Sequence, residues 1–411
     1  MGGTAAASRQ VTFTFRKRQL HRTMRYRRFG KTELKIPVIS CGGMRYQQSW
    51  KDTDPISEDS QRNLEACIRR AFELGINHIE TARGYGTSEE QLGHILPQLP
   101  RQEIIVQTKI GPQADPARFQ AQFDKSMSLL CLEHVDLMAL HGINSEEEFD
   151  CTLRCYETAL RWREQGRIRH IGFSTHGSTK IILKAIETGL FDYVNLHWYW
   201  IFQDNWPAIE AATSRDMGVF IISPNDKGGL LYRPSQKLLD LCAPLHPMVF
   251  NGLFCLARPE VHTLSCGAAR PSDFDIHLET VRLLDEAHTL LPPILARLEN
   301  AMESTLGRDW LRTWREGLPD WDQAPGQINV PVILRLYTLL KAFDMTEYGR
   351  MRYNLLNNGG TWFPGKNAEG FTQYDWSSYL AHSPHRDRIP KVIAETHAAL
   401  AGEQRKRLRQ D

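Results

Sequence analysis

The chain has 411 residues, 41% of them hydrophobic and 24% charged, with a formal net charge of +2. That length suits two domains, or one large barrel with an added piece, and the composition is ordinary for a globular protein. No apolar run reaches the roughly 18 residues that a membrane-spanning helix needs, and the near-neutral balance gives no general attraction for nucleic acid.

Charge is uneven along the chain. The first 28 residues hold eight Lys or Arg and no acid, which leaves 42 basic against 48 acidic residues downstream. An Arg-rich, acid-free start has the composition of an organelle transit peptide. The other reading is an extension upstream of a start at Met24, where MRYRRFGKTEL reads like the beginning of a bacterial chain. Residues 1–23 are therefore expected to be a disordered extension. Eight cysteines (41, 67, 131, 151, 155, 242, 255 and 266) form no Cys-x-x-Cys pair and sit mostly in apolar patterns. They read as buried, reduced thiols of a cytoplasmic protein. Cys151 and Cys155 are one helical turn apart, but no matching pair completes a zinc site, so no metal is expected.

From residue 38 onward β-rich runs alternate with helical patterns. The runs are 38–43, 78–82, 104–109, 135–142, 168–174, 193–199, 218–224 and, more weakly, 262–267. Between the first two, Leu64, Cys67, Ile68, Ala71 and Phe72 recur at three- and four-residue spacing and Gly75 stops the helix. Eight strands, each followed by a helix over about 250 residues, is the arithmetic of a (β/α)8 TIM barrel. The rival is a doubly wound sheet, which would announce a Gly-x-Gly-x-x-Gly turn that this sequence does not contain. After about residue 290 only helical periods remain. The expected organisation is a barrel over 24–289 and a helical C-terminal appendage over 290–411.

Active sites of such barrels lie at the C-terminal strand ends. The second run ends near Glu80, with Tyr85 in the glycine-flanked turn after it; the third ends at Lys109 and the fourth at His141. The group suits proton transfer to a carbonyl oxygen. A tyrosine, protonated at neutral pH, serves as acid. An ammonium stabilises the phenolate, a carboxylate holds that ammonium charged, and a histidine polarises the substrate oxygen. Taken singly, each residue also reads as a strand-end group satisfying local hydrogen bonds.

The pieces YRRFGKTEL, GGM (42–44), GINHIETARGYGTSEEQLG, VQTK, VDLMALHG, GRIRHIGFS and ISP together resemble the aldo/keto reductases over roughly residues 25–280. The resemblance implies NAD(P)H-dependent reduction of a small-molecule carbonyl, with Tyr85 as proton donor, Lys109 and Glu80 tuning it, and His141 orienting the carbonyl. It also implies cofactor positions at Met44, Ser174, Thr175, Asn195, Ser223, Lys227, Gly267, Ser272 and His277. NADPH is the family default, with NADH open. Several positions depart from the family pattern. Glu80 replaces the usual aspartate, Thr175 an asparagine, Asn195 a glutamine and Ile222 a stacking aromatic. Asp273 and His277 stand where NADP-preferring members carry Arg and Asn, with Arg270 nearby to compensate.

AFDMTEYGRMRYNLL and IPKVIAETHAAL resemble the appendage of a subgroup that carries a ferredoxin-like iron–sulfur segment. A cluster needs closely spaced thiolates, and the last cysteine of this chain is Cys266, so no cluster is expected. His382 and His385 lack a third ligand. Trp198, Tyr199, Trp200 and Trp206 read either as an aromatic substrate pocket or as packing against the C-terminal helices. The functional alternatives are a catalytically weak nucleotide-binding sensor or interaction subunit, and a lyase or hydrolase that uses Glu80 and Lys109 directly.

Overall fold

The computed structural model describes residues 24–358 and 364–405; the expectation for residues 1–23 lies outside them. Eight parallel strands close a barrel: β3 (Ile39–Gly42), β4 (His78–Glu80), β5 (Ile105–Ile110), β6 (Val135–His141), β7 (Ile168–Ser174), β8 (Tyr193–Leu196), β9 (Gly218–Ile221) and β10 (Thr263–Gly267). They follow chain order, and β10 pairs back onto β3 with Cys266 opposite Cys41. All eight expected runs are strands, and the (β/α)8 expectation is met.

Helix formation follows the sequence signals. The helix Glu58–Glu73 starts at Ser57, whose side chain accepts from the Ser60 amide, an N-cap that satisfies one orphan donor. It buries Leu64, Cys67, Ile68, Ala71 and Phe72. Gly75, at φ +81°, ends it.

A hairpin of β1 (Tyr26–Arg28) and β2 (Lys35–Pro37) precedes the barrel and was not foreseen from the sequence. Its Phe29 and Ile36 join Ile105, Leu137, Tyr193 and Phe220 in one buried cluster. The hairpin thereby stoppers the N-terminal end of the barrel. The approach is tight: a Cβ on Gly30 (φ +54°) would run into the backbone of Asp216 and Met217.

The chain divides into two compact units. One comprises the chain up to Pro224 together with Asn251–Ala287; the other comprises Asn225–Phe250 together with the chain from His288. The second unit thus includes residues 225–250, which the expected boundaries placed with the barrel. Its helices include Ala287–Leu306, Val330–Phe343, Thr346–Tyr353 and Ile389–Leu400. Asn354 ties two of them, donating to the Leu400 carbonyl at 2.9 Å and accepting from the Gly402 amide. His385 bonds Thr313 and lies against the Trp310 ring. Among the described residues no single helix is long and apolar enough to cross a membrane.

Burial pushes His78 down to about 3, and His262 and His277 down to about 4. Each stays neutral in the folded state while the unfolded chain takes up a proton near pH 6.5. Their contribution to stability is therefore complete above pH 6.5 and lost as the pH falls toward 4, by about 1.4 kcal/mol per pH unit for each histidine in that window. Melting temperatures measured between pH 7.5 and 4.5 are expected to fall on the acid side; a flat profile would contradict the neutral assignment.

Candidate active site

Three strand ends and one turn bring the proposed group together. Lys109, near the end of β5, is fully buried and pairs with Glu80 at the end of β4. Its Nζ also donates to the Thr81 carbonyl at 2.8 Å and to the Tyr85 hydroxyl at 3.2 Å. The Tyr85 ring meets His141, at the end of β6, edge-on with 5.8 Å between centroids. The second oxygen of Glu80 accepts from Ser265 Oγ on β10 at 3.1 Å. The longer acid therefore reaches the lysine while a neighbouring strand fixes its other oxygen.

Burial, and then the Glu80 charge, hold the Tyr85 phenol well above its ordinary value, so it is protonated at neutral pH. Burial pushes Lys109 down, and the Glu80 carboxylate opposes that push. The arrangement is thus a protonated phenol whose oxygen already receives a hydrogen bond from an ammonium. That ammonium can carry the negative charge left on the phenol after proton release.

The turn that presents Tyr85 is built to one shape. Gly86 sits at φ +54°, and a Cβ there would collide with the Ser49 carbonyl. The Thr87 amide donates to that same carbonyl. Gly86→Ala is expected to cost at least about 2 kcal/mol through the left-handed backbone and the clash; urea denaturation would read it.

Two further residues carry the site that the sequence reading did not single out. Glu89 is fully buried and accepts from Thr108 Oγ1 at 2.6 Å and Ser126 Oγ at 3.0 Å, while pairing with Arg83. It fastens the Tyr85 turn to the strand that carries Lys109. The signal in the sequence was its place four residues after Tyr85 in GINHIETARGYGTSEEQLG. Glu89→Ala leaves two buried hydroxyls without their acceptor and Arg83 with Asp52 as its remaining partner, and is expected to destabilise by about 2–4 kcal/mol, measurable by chemical denaturation. Trp50 is the second; its ring stands edge-on to Tyr85 at 6.4 Å.

The cofactor positions are not equally placed. Ser174 ends β7, and its Oγ accepts from the Gly142 amide at 3.3 Å. Thr175 is committed within the protein: its hydroxyl donates to the Ile143 carbonyl at 2.6 Å and accepts from the Gly177 amide at 2.9 Å. Asn195 is fully buried on β8, and neither of its amide atoms has a partner among the described residues. Ser223 holds a left-handed φ of +53° just beyond β9, a strained state that clusters at functional sites. Met44 follows β3 and is half-buried. Gly267 ends β10, and the Arg45 side chain lies over it. Ser272 is exposed, whereas His277 is buried and neutral. Asp273 is turned into its own loop, where it accepts from the Ala269 amide at 2.9 Å and pairs with Arg270. Lys227 belongs to the second unit, where the Tyr348 hydroxyl donates to its carbonyl.

The aromatic run after β8 is largely core. Trp198 stacks on Phe254 at 4.9 Å and lies against Trp206, within the barrel unit. Tyr199 is fully buried; its hydroxyl meets His197 Nδ1 and donates to the Ile222 carbonyl. Among the described residues no group of three or more His, Cys, Asp or Glu is placed to hold a metal.

The fold is a closed parallel barrel that brings Tyr85, Lys109, Glu80 and His141 together at one end. Residues 38–238 match the model of the aldo/keto reductase family. The chain is 28% identical over 170 residues to L-glyceraldehyde 3-phosphate reductase of Escherichia coli K12, a match covering 37% of this chain and 46% of that protein. It therefore spans about half the length of that relative. It is 26% identical over 284 residues to the uncharacterized oxidoreductase YqkF of Bacillus subtilis, covering 60% of this chain and 88% of that protein. The fold of aldo-keto reductase AKR11C1 from Bacillus halodurans superposes with a TM-score of 0.55 at 20% identity, over 66% of this chain and 96% of that one.

Proposed function

We propose that the protein is an NAD(P)H-dependent reductase of a small-molecule carbonyl, an aldehyde, ketone or quinone. The observation that carries this reading is the Tyr85 hydroxyl held 3.2 Å from the Lys109 ammonium, which is itself paired with Glu80.

The residues present fit a nicotinamide dinucleotide. The partnerless amide of Asn195 and the hydroxyl of Ser174 suit its carboxamide; Ser223 lies at the next strand end, and Met44 two strands further round the barrel. Gly267, Ser272 and His277 line the adenosine side. Thr175, with its hydroxyl already used, contributes backbone and shape. The nucleotide supplies the hydride. Asp273 is bound by Ala269 and Arg270, so its charge opposes a 2′-phosphate less than the bare sequence suggests. That supports NADPH as the first choice, with NADH as the competitor.

Tyr85 donates its proton to the carbonyl oxygen, and Lys109 stabilises the resulting phenolate through their hydrogen bond. Glu80 keeps Lys109 charged. His141, beside the Tyr85 ring, orients the substrate oxygen. A cytoplasmic location accords with eight free cysteines. The C-terminal unit works without an iron–sulfur cluster in this reading, because Cys266 is the last thiol in the chain.

The sensor reading is favoured by the committed Thr175 hydroxyl and by Ile222 in the place of an aromatic. Fluorescence titration with NADPH and NADH, followed by turnover on aldehydes, ketones and quinones, separates the two. Binding with turnover is expected. Binding without turnover on any of the panel would move the assignment to a sensor.

A further inference from the structure

The Tyr85 ring is held by strand residues and by a loop. The Lys109 ammonium lies 4.5 Å from the centre of the ring and His141 meets its edge, both from strands. Trp50, edge-on at 6.4 Å, belongs instead to the segment between β3 and the helix Glu58–Glu73. The 3.2 Å contact between the Tyr85 hydroxyl and Lys109 is at the long limit of a hydrogen bond. A ring shift of about half an ångström would break it, so whatever fixes Trp50 bears on the proposed proton donor.

Two clasps fix that segment, and they flank Tyr85. Two residues after it, the Thr87 amide donates to the Ser49 carbonyl at 3.0 Å, and Thr87 Oγ1 accepts from the Gln48 and Ser49 amides at 3.2 and 3.1 Å. Two residues before it, the Arg83 guanidinium pairs with Asp52 through one nitrogen and with Glu89 through another. Residues 49–52 therefore lie along the turn 83–87, joined at both ends, with Trp50 against Tyr85 between the joints. The segment is also tied to itself: Ser49 Oγ donates to Asp54 at 2.6 Å and accepts from the Lys51 amide at 3.1 Å. The two clasps differ in chemistry. The Thr87 clasp is neutral and Thr87 is fully buried. The other is ionic, with the Asp52 side chain 44% exposed and that of Arg83 only 9%. Arg83 is anchored independently of the loop, because Glu89 is fully buried and the Arg83 amide donates to the Lys109 carbonyl at 2.9 Å.

We propose that Asp52 is a positioning residue for the proton transfer. Through Arg83 it holds residues 49–52 against the turn, so that Trp50 keeps the Tyr85 ring within reach of Lys109. Loss of the Asp52 charge leaves the Thr87 clasp in place and frees the other end of the segment, which loosens the ring without unfolding the site. The kinetic part of the proposal rests on the reductase reading; the ordering of Tyr85 does not.

The test uses the full chain labelled with 13Cζ-tyrosine, with the Tyr85 signal assigned by its loss in Tyr85→Phe. Wild type, Asp52→Asn and Asp52→Glu are compared by NMR and by single-turnover reduction of a carbonyl. Asp52→Asn removes the charge at nearly constant size. Its Tyr85 signal is expected to shift or broaden. Its single-turnover rate is expected to fall about tenfold, with nucleotide affinity within about twofold of wild type. Asp52→Glu restores the charge and is expected to recover most of the rate. Raising salt from about 0.1 M to about 1 M screens a half-exposed pair, so the wild-type rate falls part of the way toward that of Asp52→Asn, which does not respond. One half-exposed pair adds little to global stability, so the denaturation midpoint of Asp52→Asn stays near wild type, which separates positioning from unfolding. A Tyr85 signal unmoved in Asp52→Asn, or an unchanged rate in a protein that turns over, overturns the proposal. A shifted Tyr85 signal in a protein that reduces no carbonyl upholds the role of Asp52 in ordering Tyr85 and sinks the reductase reading instead.

Discussion

Tyr85→Phe is expected to lower carbonyl turnover by about a thousandfold, while NADPH binding stays close to wild type. The substitution removes one oxygen. The phenyl ring can still meet His141 and Trp50, so the turn between Gly84 and Gly86 keeps its packing. What disappears is the hydroxyl that Lys109 touches at 3.2 Å. The hydride donor is bound by other residues in the proposed reading, which makes the split between binding and turnover the informative result. Single-turnover assays under saturating nucleotide would show it. A phenylalanine enzyme as fast as wild type would remove Tyr85 from the chemistry and reopen Glu80 and Lys109 as direct catalysts.

Lys109→Met is expected to damage stability as well as rate. The lysine is fully buried with Glu80, and removing one partner of a buried pair leaves the other charge uncompensated, at about 3–5 kcal/mol. The double replacement Lys109→Met with Glu80→Gln restores neutrality and is expected to regain most of that stability without regaining turnover. Denaturation midpoints of the two single and the double variant form a cycle that isolates the pair. If the double variant were as unstable as Lys109→Met alone, the pair would matter through packing rather than charge.

The barrel was legible because its strands are short, β-rich and separated by helical periods with glycine stops. Tyr85, Lys109, Glu80 and His141 were legible because they fall at successive strand ends, and strand ends share one rim. Residues whose meaning depends on non-local partners were less legible. Thr175 looked like a ligand for the cofactor, but its hydroxyl is spent on Ile143 and Gly177. Asp273 looked like a repulsive charge, whereas the loop folds it onto Ala269 and Arg270. Trp198 looked like a possible pocket wall until Phe254, 56 residues away, stacked against it. The β1–β2 hairpin was hidden because its strands are only three residues long, and its apolar residues Phe29 and Ile36 show no period.

The stopper formed by Phe29 and Ile36 makes the barrel blind at one end. A blind vessel has a single entrance, so in the proposed reaction both substrates and both products share it. Access then becomes a matter of sequence in time. In the proposed reading, with Asn195 holding the carboxamide, the nucleotide is expected to be seated before the carbonyl compound and to leave last. Initial-rate patterns with the product alcohol as inhibitor would carry that order as their signature.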